Sequence, residues 1–159
     1  DDQRAEADKG SGQVSAEKKG KGVRPFERRN ARQMATQAIY EWQMTGNDAA
    51  VIIEQFLESE KKKADLDYFR EVVAGVISHV DTLDQILGRY VTGRTMAELD
   101  QVDKAILRIG CYELLYHREL DCRIVLNEAI ELAKSLAAAD SHKFVNGVLD
   151  KVVKNELKD

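Results

Sequence analysis

Proline occurs once in this chain, at Pro25, cysteine twice, at Cys111 and Cys122, and aromatic residues make up only 6% of 159 positions. Each scarcity excludes something. With no proline after Pro25, nothing in the later segments forces a helix to stop. Few aromatics and no sustained apolar–polar alternation remove the usual signature of a half-buried strand. The two cysteines lie eleven positions apart, without a CxxC pair or histidines at zinc-finger spacing. They read as two reduced, mostly buried thiols and not as a metal centre. Apolar runs extend for only a handful of residues, too few to cross a bilayer. The acidic, glycine-containing first residues have no apolar stretch of the kind a secretory signal needs, so a cytoplasmic location is expected. A glycine-rich phosphate loop, a GxGxxG turn and a paired-histidine metal motif are all missing. His79 and His117 are isolated on helices, and Asp140, Ser141 and His142 are adjacent in sequence, which is not how a nucleophile, base and orienter are assembled. The expectation is a protein that is not an enzyme and uses no cofactor.

What is present is a chain rich in Ala, Leu, Glu, Lys and Gln, 43% apolar and 33% charged, long enough for one all-helical domain with a real core. Its charge is unevenly placed. Lys18 to Gln33 holds seven Lys or Arg and one acid, net +6, whereas the whole chain is net −4. A basic cluster on an acidic protein points to a polyanion as partner.

Residues 1–22 offer almost nothing to bury and read as a disordered tail. Residues 23–159 read as a single all-helical domain, in two subbundles at about 25–87 and 95–156. Pro25 suits the first turn of a helix that runs to Met44 before Gly46 and Asn47. Asp48 caps a second helix to about Ser59, and the lysines Lys61, Lys62 and Lys63 mark a solvated connection. From Asp65 the apolar period continues for five turns to Leu87, with Gly75 in the middle as a place of close helix approach. A hinge over 88–100 includes a short helix around Thr95–Leu99. Asp100 then caps a helix with Asp103 in its first turn, and helices over 123–138 and 141–156 complete a second group of three.

On a wheel of the first helix, Ala31, Met34, Ala35, Ala38 and Trp42 share one side, and Arg28, Arg29, Arg32 and Thr36 form a neighbouring arc with Tyr40 at its far edge. Guanidinium forks for phosphates beside a flat ring for a base are what single-stranded RNA binding uses. A solvated charged face with a half-buried Tyr40 is the alternative. Near the end of the chain, Asp140, Ser141, His142, Lys143, Phe144 and Asn146 gather at a helix start, where free N–H groups favour an anion. There the structural alternative is a cap at Asp140 or Ser141 and a core anchor at Phe144.

Four segments, RRNARQMATQAIYEWQ, YFREVVAGV, LDQVDKAILRIGCYEL and NEAIELAKSLAAADSHKFVNGVLDKV, resemble the bacterial antitermination factor family NusB over about residues 25–155. The resemblance implies two packed three-helix bundles without enzymatic activity. It implies a partnership with NusE, a small-subunit ribosomal protein, and binding of the pair to the boxA element of nascent RNA. It further implies a link to the elongating RNA polymerase complex through other factors. By the same resemblance Arg28, Arg29, Arg32, Tyr40, Asp140, Lys143 and Phe144 are RNA-binding positions, and Asp103 belongs to the partner-binding side. Asn30 departs from relatives that have another arginine there. Two alternatives stay open: a homodimeric interaction protein, and the RNA-targeting part of a ribosomal RNA cytosine methyltransferase.

Overall fold

A computed structural model describes residues 24–59 and 62–157, so the tail 1–22 with its lysines Lys18, Lys19 and Lys21, and also Lys61, lie outside the described residues. The described elements are α1 (Pro25–Thr45), α2 (Ala49–Glu58), α3 (Leu66–Ser78), α4 (Val80–Gly88), a short 3₁₀ turn (Met96–Glu98), α5 (Gln101–Tyr116), α6 (Cys122–Leu136) and α7 (Ser141–Glu156). The all-helical architecture expected from composition and periodicity is present.

Local chemistry sets most boundaries. Pro25 opens α1, where its missing N–H costs no intrahelical bond, and Gly46 closes it at φ 69°, donating its N–H to the Trp42 carbonyl. Four aspartates stand before helices and accept from their free amides: Asp48 from Ala50, Asp65 from Tyr68, Asp100 from Val102 and Asp103, and Asp121 from Arg123. Each cap of this kind contributes about 1 kcal/mol.

The long helix expected over Asp65 to Leu87 is instead two. At His79 the backbone turns to φ −110° and ψ 16°, ending α3 and starting α4. The Gly75 carbonyl receives the His79 N–H and the Ser78 hydroxyl, and the His79 Nδ1 also lies 2.9 Å from it. Polar side chains thus compete for the carbonyl at the end of α3. The apolar spacing continues through the break, which is why periodicity alone conceals it. Gly75 is the expected point of close approach, since a Cβ there would overlap the Tyr112 ring of α5.

Helix α5 is the axis of the molecule. Its residues from Asp103 to Leu114 are all buried, and it packs against α1, α3, α4, α6 and α7. The two three-helix groups, α1–α3 and α5–α7, therefore share one core that includes Ile39, Phe69, Ile106, Leu107 and Leu149. Because α1 also touches α6, it is enclosed on more than one side. Only a ridge of it reaches solvent.

Candidate nucleic-acid interface

The arginines of α1 do not share one environment. Arg32, expected on the exposed basic arc, is 1% exposed, with Nε 2.9 Å from Glu113 Oε2 of α5 and Nη1 3.7 Å from Glu128 Oε1 of α6. Tyr68 of α3 donates its hydroxyl to the same Glu113 carboxylate. Burial and the Glu113 charge together push the Tyr68 phenol well up, so it stays a donor. Thr36, next on that arc, is buried too and donates to the Arg32 carbonyl. The Arg32–Thr36 side of the arc is turned inward against α5 and α6. A buried, carboxylate-bound Arg32 cannot offer its guanidinium to a phosphate in this arrangement, which corrects its place among the exposed residues.

Arg28 is half-way. Its Nε donates to Asp65 at 3.2 Å, and its guanidinium lies 3.8 Å from the centre of the Tyr68 ring. Only 13% of its side chain is exposed. Arg29 faces outward, 51% exposed, and grips Glu128 with both Nε at 3.0 Å and Nη2 at 2.7 Å. The Glu128 hydrogen bond raises its already high pKa, so it is cationic throughout.

The outward ridge of α1 runs through Arg29, Gln33, Gln37 and Tyr40, at the helical i+4 and i+3 spacings that put such residues on one face. Tyr40 is 39% exposed. It lines a cleft of about 170 Å³ with Thr36, Gln37, Val102 of α5 and Leu136 of α6. An apolar slot beside a partly exposed phenol can receive the face of a planar ring.

Leu136 ends α6 shortly before the α6–α7 turn, where the second expected cluster stands. Asp140 and Lys143 are both exposed, with Lys143 Nζ 3.9 Å from Asp140 Oδ1. Asp140 occupies the cap position of α7 without a side-chain cap bond, so the expected capping role is not made by its carboxylate. Phe144 is partly buried against the core, and the Arg94 guanidinium sits 4.2 Å over its ring. Asp103 lies inward: it is 6% exposed, and its Oδ1 has no hydrogen-bond partner among the described residues. Burial pushes its carboxyl up, the Ser141 hydroxyl and Arg94 partly offset this, and Asp100 adds to it. A buried carboxylate can support the junction of α5 and α7 but does not present an exposed charge to a partner.

Several residues of this face escaped the sequence reading. Val102, Leu136, Glu113 and Glu128 were not singled out as site residues. The signal available for Gln33 and Gln37 was their spacing from Tyr40; for the two glutamates there was none, because their partners come from another helix. Cys111 is buried and Cys122 partly so, both free. Burial pushes the Cys111 thiol up to about 12, which makes it unreactive.

The described residues thus form an all-helical domain with a cationic, aromatic-edged ridge on α1 next to an apolar cleft. Comparison with known proteins is specific: residues 29–154 match the NusB family profile, and the chain belongs to the NusB family. The transcription antitermination protein NusB of Aeromonas salmonicida is 53% identical over 83% of this chain and 96% of its own length. That of Tolumonas auensis is 51% identical with the same coverage. Among solved structures, antitermination factors NusB and NusE in complex with dsRNA give a TM-score of 0.74 at 25% identity, covering 82% of this chain and 98% of that one. T. maritima NusB gives 0.71 at 27% identity, over 80% and 90%. Among the described residues no helix is long and apolar enough to cross a membrane.

Proposed function

We propose that this protein is an RNA-binding antitermination factor that, with ribosomal protein NusE, binds the boxA element of nascent RNA and supports ribosomal RNA transcription. The carrying observation is the ridge of Arg29 and Tyr40 beside the cleft of Val102 and Leu136, on a chain that matches the NusB family over residues 29–154. The solved relative that contains NusE and RNA supports the partnership. The work is done by assembly in the cytoplasm: Arg29 neutralises backbone charge, Tyr40 stacks a base, and Lys143 and Phe144 extend the surface beyond the α6–α7 turn. Asp140 accepts a base-edge hydrogen bond there. Arg28 and Arg32 act mainly by holding α1 in place, and Asp103 by holding the start of α5 against α7. Coupling to the polymerase elongation complex then runs through further factors.

The match to curated relatives over nearly their whole length favours this reading over a targeting domain of a larger methyltransferase. Binding to boxA-like and scrambled single-stranded RNA, each with and without purified NusE, tests it. Tighter binding of the boxA-like strand, enhanced by NusE, is expected. Equal binding of both strands under both conditions would overturn it. Sedimentation with and without the RNA separates it from a homodimer whose basic helix is its own contact.

A further inference from the structure

The lysines between α2 and α3 were expected to mark a solvated connection, yet the connection is fastened to α1. The Lys63 carbonyl accepts from Asn30 Nδ2 at 2.8 Å, the Asp65 N–H donates to the Glu27 carbonyl at 3.0 Å, and the Asp65 carboxylate holds Arg28. Asn30, the position where the basic run is interrupted, is therefore used as an anchor. The effect is to hold the Lys62 ammonium at the exposed ridge and the Lys63 ammonium beside Glu27, nearer the start of α1. Lys62 Nζ lies 3.3 Å from Gln33 Oε1, one turn from Arg29, and Lys63 Nζ is 3.6 Å from Glu27 Oε2 with its side chain 74% exposed. Around this end of α1, Arg24, Arg28, Arg29, Lys62 and Lys63 stand against the carboxylates of Glu27, Asp65 and Glu128. Glu131 and Glu119 add their charges near Arg29 and Arg28, whereas Lys62 meets the neutral amide of Gln33.

We infer that Lys62 and Lys63 form a second phosphate-binding rail, parallel to the α1 ridge, which holds the backbone of single-stranded RNA whose base is stacked at Tyr40. This inference rests on the RNA-binding reading of that ridge. A strand crossing from Arg29 over Gln33 meets Lys62 next, so one side of the ridge is served by a guanidinium from α1 itself and the other by ammonium groups from the connection. Ammonium groups are mobile point charges, suited to a backbone contact that follows the strand without reading its sequence.

The test is the salt dependence of affinity of the full chain for a labelled boxA-like single-stranded RNA, for the unaltered protein and for K62Q/K63Q, K62R/K63R and R29Q. Each lost phosphate contact reduces the slope of log affinity against log salt by roughly 0.7 for single strands. K62Q/K63Q is expected to flatten the slope by about 0.7 to 1.4 with thermal unfolding unchanged, and K62R/K63R to keep it. A slope in K62Q/K63Q equal to that of the unaltered protein overturns the rail. If R29Q flattens the slope in that case, the ridge reading survives without the rail; if R29Q leaves it unchanged too, the ridge reading falls with it.

Discussion

Arg29 and Arg32 are three positions apart on α1 and both approach Glu128, but one is 51% exposed and the other 1%. Their surroundings give the same guanidinium opposite roles. Arg32 is enclosed by α3, α5 and α6, where its charge is tolerable only because Glu113 answers it and Tyr68 completes the carboxylate's hydrogen bonding. Arg29 shares Glu128 at the surface, where water screens the pair and its net stabilisation is about 0–1 kcal/mol. A basic stripe on a helical wheel is thus two things in the folded protein: a seam that joins the two helical groups, and a free edge on which a polyanion can be met.

The sharpest way to break this contrast is at the seam. Replacing Glu113 by Ala leaves Arg32 buried without its main partner and is expected to cost about 3–5 kcal/mol in denaturant unfolding. Replacing both residues together by apolar ones of similar size should recover much of that loss. A Glu113→Ala protein as stable as the parent would mean that the seam is not a buried pair at all.

On the outer edge, Tyr40→Ala should leave stability nearly unchanged while weakening RNA binding by about 1–3 kcal/mol, the usual worth of a stacked base. Equilibrium titration and thermal unfolding of the same variant check both halves, and a loss of stability without a loss of affinity would return Tyr40 to the core. Gly75→Ala probes the inner side again: its methyl would press on the Tyr112 ring. The expected penalty is about 1–3 kcal/mol, with no change in RNA affinity once the protein is folded. A neutral outcome would show that α3 and α5 can separate freely.

A smaller effect depends on pH. His117 follows α5 and bridges Glu71 of α3 at 2.7 Å and Glu119 at 2.8 Å. Burial pushes its imidazole down, but the Glu119 hydrogen bond and the Glu71 charge outweigh it, so its pKa is raised above 6.5. A raised folded pKa stabilises the protein fully below the unfolded value and loses that contribution as pH rises through the folded one. His117→Gln should therefore be destabilising in mildly acidic solution, with the difference from the parent fading above neutrality. Unfolding curves across that window test the sign, and a difference that grows with rising pH would refute it. The smallest change is expected from Arg29→Gln, at most about 1 kcal/mol of stability, with its main effect on the salt dependence of RNA binding.

Helix positions were legible in the chain because their causes are local. Pro25, Gly46 and the aspartates at 48, 65 and 100 act within a turn of where they stand; Asp121, which caps α6 in the same way, was not singled out. The interruption at His79 was not legible, since apolar spacing is insensitive to a turn that keeps the same face inward. For the candidate site, the residues near Arg29, Tyr40 and Lys143 could be picked out by type and spacing. The burial of Arg32 and Asp103 could not, because it depends on which helices cover them.

By itself the chain determined an all-helical protein, its main caps, the basic helix and, through its motifs, its family. Those are properties of short segments, set by hydrogen bonding and apolar period within a few residues. Tertiary structure alone decided that Arg32 lies inside and Arg29 outside, that Val102 and Leu136 make a cleft beside Tyr40, and that Lys62 and Lys63 are held against α1. Each of those depends on groups brought together from distant parts of the sequence, and a charge acquires its function only from the partners and the water that packing leaves around it.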